Sequence, residues 1–294
     1  MSEMNKILCI GEVLWDSLPS GLYLGGAPLN VCYHLNQLNI ESVIASKVGK
    51  DRLGKEAIRR INKMDISTDL VQYDEQRETG FVGVELTEGG DPQYNILQPV
   101  AWDEIIYSKN LEDTAEQSLG LVFGTLAQRN ETSRKTIQAL MGTDLSLIFD
   151  MNLRKPFINK KVIRQSLEMA DIVKMNEEEL NYLIDWYSLS GGPKSAVEDI
   201  VDQFNCSTVC VTKGANGSML FKDGEWFEHK GFPVKAKDVV GAGDAFLASL
   251  IHGIITGEDG KDLLVYANAT GSLIAQKDGA TPQYSLDEIR SEMI

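Results

Sequence analysis

The chain has 294 residues, of which 43% are hydrophobic and 24% charged. That balance fits a globular protein and excludes global disorder, and the length suits one large α/β domain or two ordinary ones. The 28 basic and 43 acidic residues give a formal net charge of −15, which disfavours non-specific nucleic-acid or anionic-membrane partners, because a phosphate surface needs a basic face.

Residues 1–6 are polar. The apolar run 7–10 that follows is closed by Gly11-Glu12. It is too short for the core of a signal peptide and reads, over 6–11, as a buried strand. Residues 28–38 repeat apolar side chains at Leu29, Val31, Cys32, Leu35 and Leu38, a helical stripe that starts at a Gly-Gly turn. A strand is expected at 42–48. A helix follows at 51–64, with Asp at its start and basic residues toward its end, as the helix dipole favours. Residues 81–87 alternate, with Val82, Val84 and Leu86 on one face. Glu88-Gly89-Gly90-Asp91-Pro92 is a turn signal, and 93–97 returns as a second, antiparallel strand.

An alternating rhythm then sets in. Strands are expected at 121–124, 145–150, 171–175 and 208–212, with helices near 131–141, 160–170, 177–184 and 194–204. Two more helices, about 243–256 and 261–276, fill the last third. Such alternation implies a parallel sheet covered on both faces, with ligands beyond the carboxyl ends of its strands. No run of 18 apolar residues exists, so no membrane span is expected. Cys9, Cys32, Cys206 and Cys210 lie in apolar segments without a C-x-x-C pair, which reads as buried thiols in a reducing cytoplasm. His34, His229 and His252 lack zinc-ligand spacing.

Four constellations can carry chemistry. Gly241-Ala242-Gly243 runs straight into a helix. The first N–H groups of a helix have no intrahelical partner, and small residues let a ligand approach them, so this is an anion cup with a helix dipole behind it. Asp244 sits in the cup, where the residue alone supports two readings, an N-cap or a catalytic carboxylate. Thr212-Lys213-Gly214-Ala215-Asn216-Gly217 follows a buried strand and is either a nucleotide-facing turn or an ordinary hairpin turn. Asn176 and Glu179 at a helix start could hold a metal-bound water or phosphate, and alone they read better as a capping box. Gly25-Gly26-Ala27-Pro28-Leu29-Asn30, with Asp16 upstream, is a second glycine turn at a helix start with polar groups for hydroxyls. A Walker-type G-x-x-x-x-G-K-[ST], a dinucleotide G-x-G-x-x-G after the first strand and a G-x-S-x-G elbow are all absent.

Together these blocks resemble the PfkB/ribokinase family of carbohydrate kinases. The stretch from Asp238 to Phe246 is similar to that family's D-T-x-G-A-G-D-x-F signature, with Val240 in place of a commonly small residue. Gly25 to Asn30 is similar to its second signature, and Asn176 with Glu179 to its N-x-x-E element. The blocks Gly11 to Asp16, Val100-Ala101-Trp102-Asp103 and Asp150 to Arg154 resemble bacterial fructokinases in particular.

The resemblance implies a ribokinase-like α/β fold, with a central mostly parallel sheet flanked by helices. A small inserted β-sheet lid would come from about 12–24 and 79–103 of a single domain. It implies ATP-dependent phosphorylation of a sugar primary hydroxyl, D-fructose to fructose 6-phosphate. Asp244 would be the base, and Gly241, Ala242 and Gly243 the anion hole. Asp16, Gly26, Asn30 and Arg154 would meet the sugar. Asn176 and Glu179 would form the magnesium–phosphate element. Thr212, Gly214, Gly217 and Asn268 would contact ATP. Asp238 and Val240 would belong to a potassium loop. The helix dipole would keep Asp244 ionised, a weak base in the ground state. Free lid edges imply a homodimer. The alternatives are a kinase for another sugar, a sugar acid or a nucleoside, and a non-catalytic sugar-binding regulator.

Overall fold

The computed structural model describes residues 6–18, 21–86, 92–189 and 191–293. The chain opens with β1 (Lys6–Ile10) and an antiparallel pair, β2 (Leu14–Leu18) and β3 (Gly21–Gly25). Then come α1 (Ala27–Gln37), β4 (Glu41–Gly49), α2 (Arg52–Lys63) and β5 (Val71–Asp74). A second antiparallel pair, β6 (Gly80–Leu86) and β7 (Pro92–Ile96), precedes α3 (Lys109–Glu116). The middle alternates as β8 (Ser118–Gly124), α4 (Glu131–Leu140), β9 (Ser146–Asp150), α5 (Lys160–Met169) and β10 (Ile172–Asn176). It continues through α6 (Glu177–Tyr187), α7 (Pro193–Phe204), β11 (Thr208–Thr212), β12 (Ser218–Lys222) and β13 (Glu225–His229). The helices α8 (Ala242–Thr256), α9 (Gly260–Ala275) and α10 (Leu286–Glu292) complete it.

Among the described residues the main sheet runs β13-β12-β11-β10-β9-β8-β1-β4-β5, and β3-β2-β6-β7 form a small separate sheet. From β11 to β5 all pairings of the main sheet are parallel, while β12 and β13 close one edge antiparallel. The strands are apolar on both faces because both faces are buried. Ile7, Cys9, Val122, Ile148, Ile172 and Cys210 pack with α1, α8 and α9 on one side. Leu8, Ile10, Phe123, Phe149, Val173 and Met175 pack with α3 to α7 on the other.

The expected fold class is observed. Each strand and helix expected from β4 to α9 is present, with ends differing by a few residues. Of the hairpin turn expected at 88–92, residues 88–91 lie outside the described residues and Pro92 opens β7, and the two flanking strands pair antiparallel as expected. Five features exceed the sequence reading. These are β5, α3, the β12–β13 pair, α10, and the resolution of the 12–24 stretch into two strands. Chain order also reverses at β1, which adds β4 on one side and β8 on the other. In open α/β sheets the crevice at such a switch point, beyond the strands' carboxyl ends, is where ligands bind.

The segment leaving the small sheet is fastened by a buried ion pair. The Arg129 guanidinium donates to Asp103 Oδ1 at 2.7 Å and to Oδ2 at 2.9 Å, and it lies over the Trp102 ring at 3.9 Å. Their side chains are 5% and 2% exposed. Arg129→Met would strand the buried Asp103 charge, so we expect a loss of about 3–5 kcal/mol, read from urea unfolding midpoints. An unchanged midpoint would refute the fastening.

Candidate active site

Two helix starts meet beyond the carboxyl ends of the central strands. Gly26 precedes α1 at φ 116°, and any Cβ there would overlap the Glu12 carbonyl oxygen. Gly241 precedes α8 at φ 79°, where a Cβ would meet the Ala280 carbonyl oxygen at 2.5 Å. Glycine is needed at both turns for conformation and for space. Neither N-cap glycine carries a side-chain cap, so both starts present the positive end of a dipole; the turn into α8 also offers backbone N–H groups, whereas at α1 Pro28 has none and the Ala27 N–H is bonded to Glu12. The Asn30 side-chain amide donates to Asp244 Oδ2 at 2.8 Å, joining the two starts across 214 residues.

This corrects the capping reading of Asp244. Gly241 is the N-cap, and Asp244 is the third residue of α8 with its carboxylate turned to Asn30. The expected dipole effect is also outweighed. Burial and the Asp150 charge push the Asp244 carboxyl above its ordinary range, against Lys174, Asn30 and Arg154, which favour the ionised form.

The surroundings of Asp244 are rich in charge. Lys174 on β10 donates to Asp150 Oδ1 at 2.9 Å, and the two side chains are 9% and 4% exposed. Burial draws the Lys174 ammonium down, but the Asp150, Asp244 and Glu179 carboxylates outweigh it and hold the ammonium above its ordinary value. Glu12 is buried, which pushes it up to about 7, and Asp16 on β2 is pushed by burial to about 6. The exposed Arg154 charge favours the ionised form of Glu12, Asp16 and Asp244. Glu12, Ala27, Thr125, Asp150 and Asn152 line a small cavity of about 10 Å³ at the switch point. Glu12 Oε2 and Asp150 Oδ2 are buried without hydrogen-bond partners.

The other expected residues lie farther along the same sheet edge. Asn176 caps α6 in a capping box: its Oδ1 accepts from Glu179 N at 2.9 Å, and Glu179 Oε2 accepts from Asn176 N at 2.8 Å. Glu179 Oε1 also accepts from Leu153 N at 2.7 Å, which ties the loop after β9 to α6. The turn after Thr212 joins antiparallel β11 and β12. Gly214 (φ 55°) faces open space there, whereas a Cβ at Gly217 would collide with the His229 carbonyl. The Asn268 amide donates to Ser218 Oγ and to the Leu264 carbonyl, both at 2.7 Å. Asp238 Oδ1 accepts from Val240 N at 3.0 Å and Oδ2 from Gly279 N at 3.2 Å, so it ties its loop to the chain after α9.

Sequence reasoning missed Lys174, Asp150 and Glu12 as members of this cluster. The signal was a lone charge within or closing an apolar strand, where an ionisable group is costly unless it is paired.

A glycine-built helix start at the switch point of an α/β sheet is the kind of place where proteins bind anions. The chain belongs to the pfkB family of carbohydrate kinases, whose sequence model matches residues 20–286; it is a sugar kinase. An uncharacterized sugar kinase from Pyrococcus horikoshii is 32% identical over 309 residues, covering 97% of this chain and 94% of the relative. The structure of that kinase in complex with ATP gives a TM-score of 0.82 at 28% identity, covering 98% of this chain and 100% of that one. A fructokinase from Vibrio alginolyticus is 26% identical over 299 residues, covering 94% of this chain and 95% of the relative. Fructokinase with bound ATP from Xylella fastidiosa shares the fold, with a TM-score of 0.86 at 22% identity over 99% of this chain and 98% of that one.

The buried carboxyls give the protein a stability signature. Glu12 is raised from 4.5 to about 7 in the fold, so the folded state holds its proton more tightly than the unfolded chain. Its contribution is full below the ordinary carboxyl range and is lost as pH rises through about 7. Asp16 acts in the same direction. Glu12→Gln should therefore flatten the fall in urea midpoint between about pH 5 and about pH 8. Parallel curves for wild type and variant would overturn the assignment.

Proposed function

We propose that the protein transfers the γ-phosphoryl group of ATP to the primary hydroxyl of a sugar, D-fructose to fructose 6-phosphate. The observation that carries the reading is the Asn30–Asp244 bond. It sets a buried carboxylate between two uncapped helix starts. The fructokinase from Vibrio alginolyticus, related over nearly its whole length, supports fructose as the acceptor.

In this reading Asp244 accepts the proton of the attacking hydroxyl. Phosphoryl transfer passes through a loose transition state, so the hydroxyl becomes acidic late and an oriented carboxylate suffices. Asn30 fixes one carboxylate oxygen and leaves the other for the hydroxyl. The N–H groups of the turn Gly241-Ala242-Gly243 stabilise charge on the moving phosphoryl oxygens. Asp16, Gly26 and Asn30 hold the sugar, and the small sheet closes over it and excludes water. Among the described residues β3 and β7 are the outer strands of this sheet, and such edges would pair in a homodimer.

The residues fit a nucleotide with its metal. Gly214 opens the turn after β11 to solvent, where Thr212 and Gly217 flank it and Asn268 braces β12 from behind. Asn176 and Glu179 would hold hydrated magnesium, since each Glu179 oxygen accepts one backbone N–H and keeps a lone pair. Bound magnesium would supply positive charge to the phosphates. Asp238 likewise keeps a lone pair on each oxygen for potassium beside Val240. The exposed Arg154 guanidinium favours a second reading, a sugar acid as acceptor, because Arg pairs bidentately with a carboxylate.

ADP release with ATP and magnesium across free sugars and sugar acids tests the acceptor, and turnover of sugar acids alone would replace fructose by the second reading. Asp244→Asn keeps an oxygen for Asn30 and removes no cap. We expect kcat to fall about 10²–10⁴-fold at unchanged Tm. Near-normal kcat would deprive the mechanism of its base.

A further inference from the structure

Lys174 has no place in the mechanism above, yet it occupies an expensive position. On β10 it stands opposite Asp150 of β9 and Cys210 of β11. Its face of the sheet is the one that α8 covers, shared with Ile172 and Cys210. A buried ammonium in such a layer is costly unless it is paired. Asp150 Oδ1 takes one of its three donor directions, at 2.9 Å. A second observation fixes what lies above it. A Cβ built on Gly243 would stand 3.3 Å from Lys174 Nζ. The ammonium thus lies beside Gly243, one residue before Asp244.

We propose that Lys174 is a positioning residue for phosphoryl transfer: gripped by Asp150 beneath Gly243, it supplies the fixed positive charge that keeps Asp244 a carboxylate. The proposal rests on the reading of Asp244 as the base. The groups facing Asp244 are Asn30 on α1, Asp150 on β9, Lys174 on β10, Arg154 after β9, Glu12 after β1 and Asp16 on β2. Asp150, Glu12 and Asp16 favour its protonated form, and Lys174, Asn30 and Arg154 its ionised form. Lys174 is the buried cation of this set, screened least by water. Without it, Asp150 and Asp244 would face each other as two buried acids, and like charges in one site force one of them to keep its proton. A protonated Asp244 cannot accept the hydroxyl proton. A side chain at Gly243 would crowd the ammonium.

The test is kcat for fructose phosphorylation as a function of pH, whose acidic limb reports the essential base in the substrate complex. Lys174→Met should move that limb up by about one pH unit, lowering kcat about tenfold on the acidic side of the limb while the alkaline plateau and both KM values stay near wild type. Lys174→Arg, which keeps the charge, should restore the limb. Removing both charges in Asp150→Asn/Lys174→Met should also return it toward wild type, and that neutral pair guards against a variant that fails to fold. If Lys174→Met is insoluble, Asp150→Asn decides: its limb should move down, and an unmoved limb overturns the proposal. A kcat loss equal at every pH would make Lys174 merely structural and overturn it as well. Asp244→Asn is measured alongside. A limb that persists in that variant belongs to another group and sinks the base assignment. A limb lost there but unmoved in Lys174→Met sinks the Lys174 proposal alone.

Discussion

The hydrogen bond from the Asn30 amide to the Asp244 carboxylate is the interaction on which the site depends. It joins α1 to α8, which pack within one apolar cluster that includes Leu29, Val31 and Cys32 from one and Ala245, Leu247 and Ala248 from the other. A lone polar group in such an interface costs more than its bond returns, so each partner makes the other tolerable. The bond also sets the relative depth of two helices that are 214 residues apart in sequence. That depth brings the glycine turn before α1 and the one before α8 to the same crevice. Chain reversal at β1 makes room for both there.

Charge in the crevice is balanced locally rather than globally. A chain with net charge −15 would repel a nucleotide if its field were uniform. Around Asp244, however, Lys174 and Arg154 offset part of the charge of Asp150, Glu12 and Asp16, and two helix dipoles add positive potential. Burial raises the proton affinity of Glu12 and Asp16, which trims the negative charge further near neutral pH. The negative charge of the chain is thus locally offset where the two helix starts meet.

The main sheet was legible because its strands bury both faces and so read as short apolar runs between helical stripes. The turns before α1 and α8 were legible because only glycine fits them. The small sheet was harder to read. Leu14–Leu18 and Gly21–Gly25 are five residues each, with Asp16 and Ser17 interrupting the first, and only the family resemblance assigned them to a sheet. Asp244 was misread as a possible cap because the sequence does not show which residue takes the left-handed conformation. Once Gly241 does, Asp244 falls inside the first turn. Lys174 was invisible for a related reason. A lysine in Ile172–Asn176 reads as a strand end until the register sets it opposite Asp150.

The two sheets divide the candidate acceptor contacts between them. Asp16 rides on β2 of the small sheet, while Asn30 and Asp244 belong to helices packed on the main sheet. The connections between the sheets are short: Gly11 to Val13 on the way out and Gly25-Gly26 on the way back. Gly26 passes so close to the Glu12 carbonyl that the two connections brace each other. Beyond β7, the return path through Trp102 and Asp103 is held by Arg129. A ligand that touches Asp16 and Asn30 together must therefore span two bodies whose junctions are fixed by close backbone contact and a buried ion pair. Its binding energy is available to set the distance between Asp16 and Asp244. Under the proposed mechanism, binding energy used in that way would raise kcat as well as affinity, because it would be realised only with the acceptor beside Asp244.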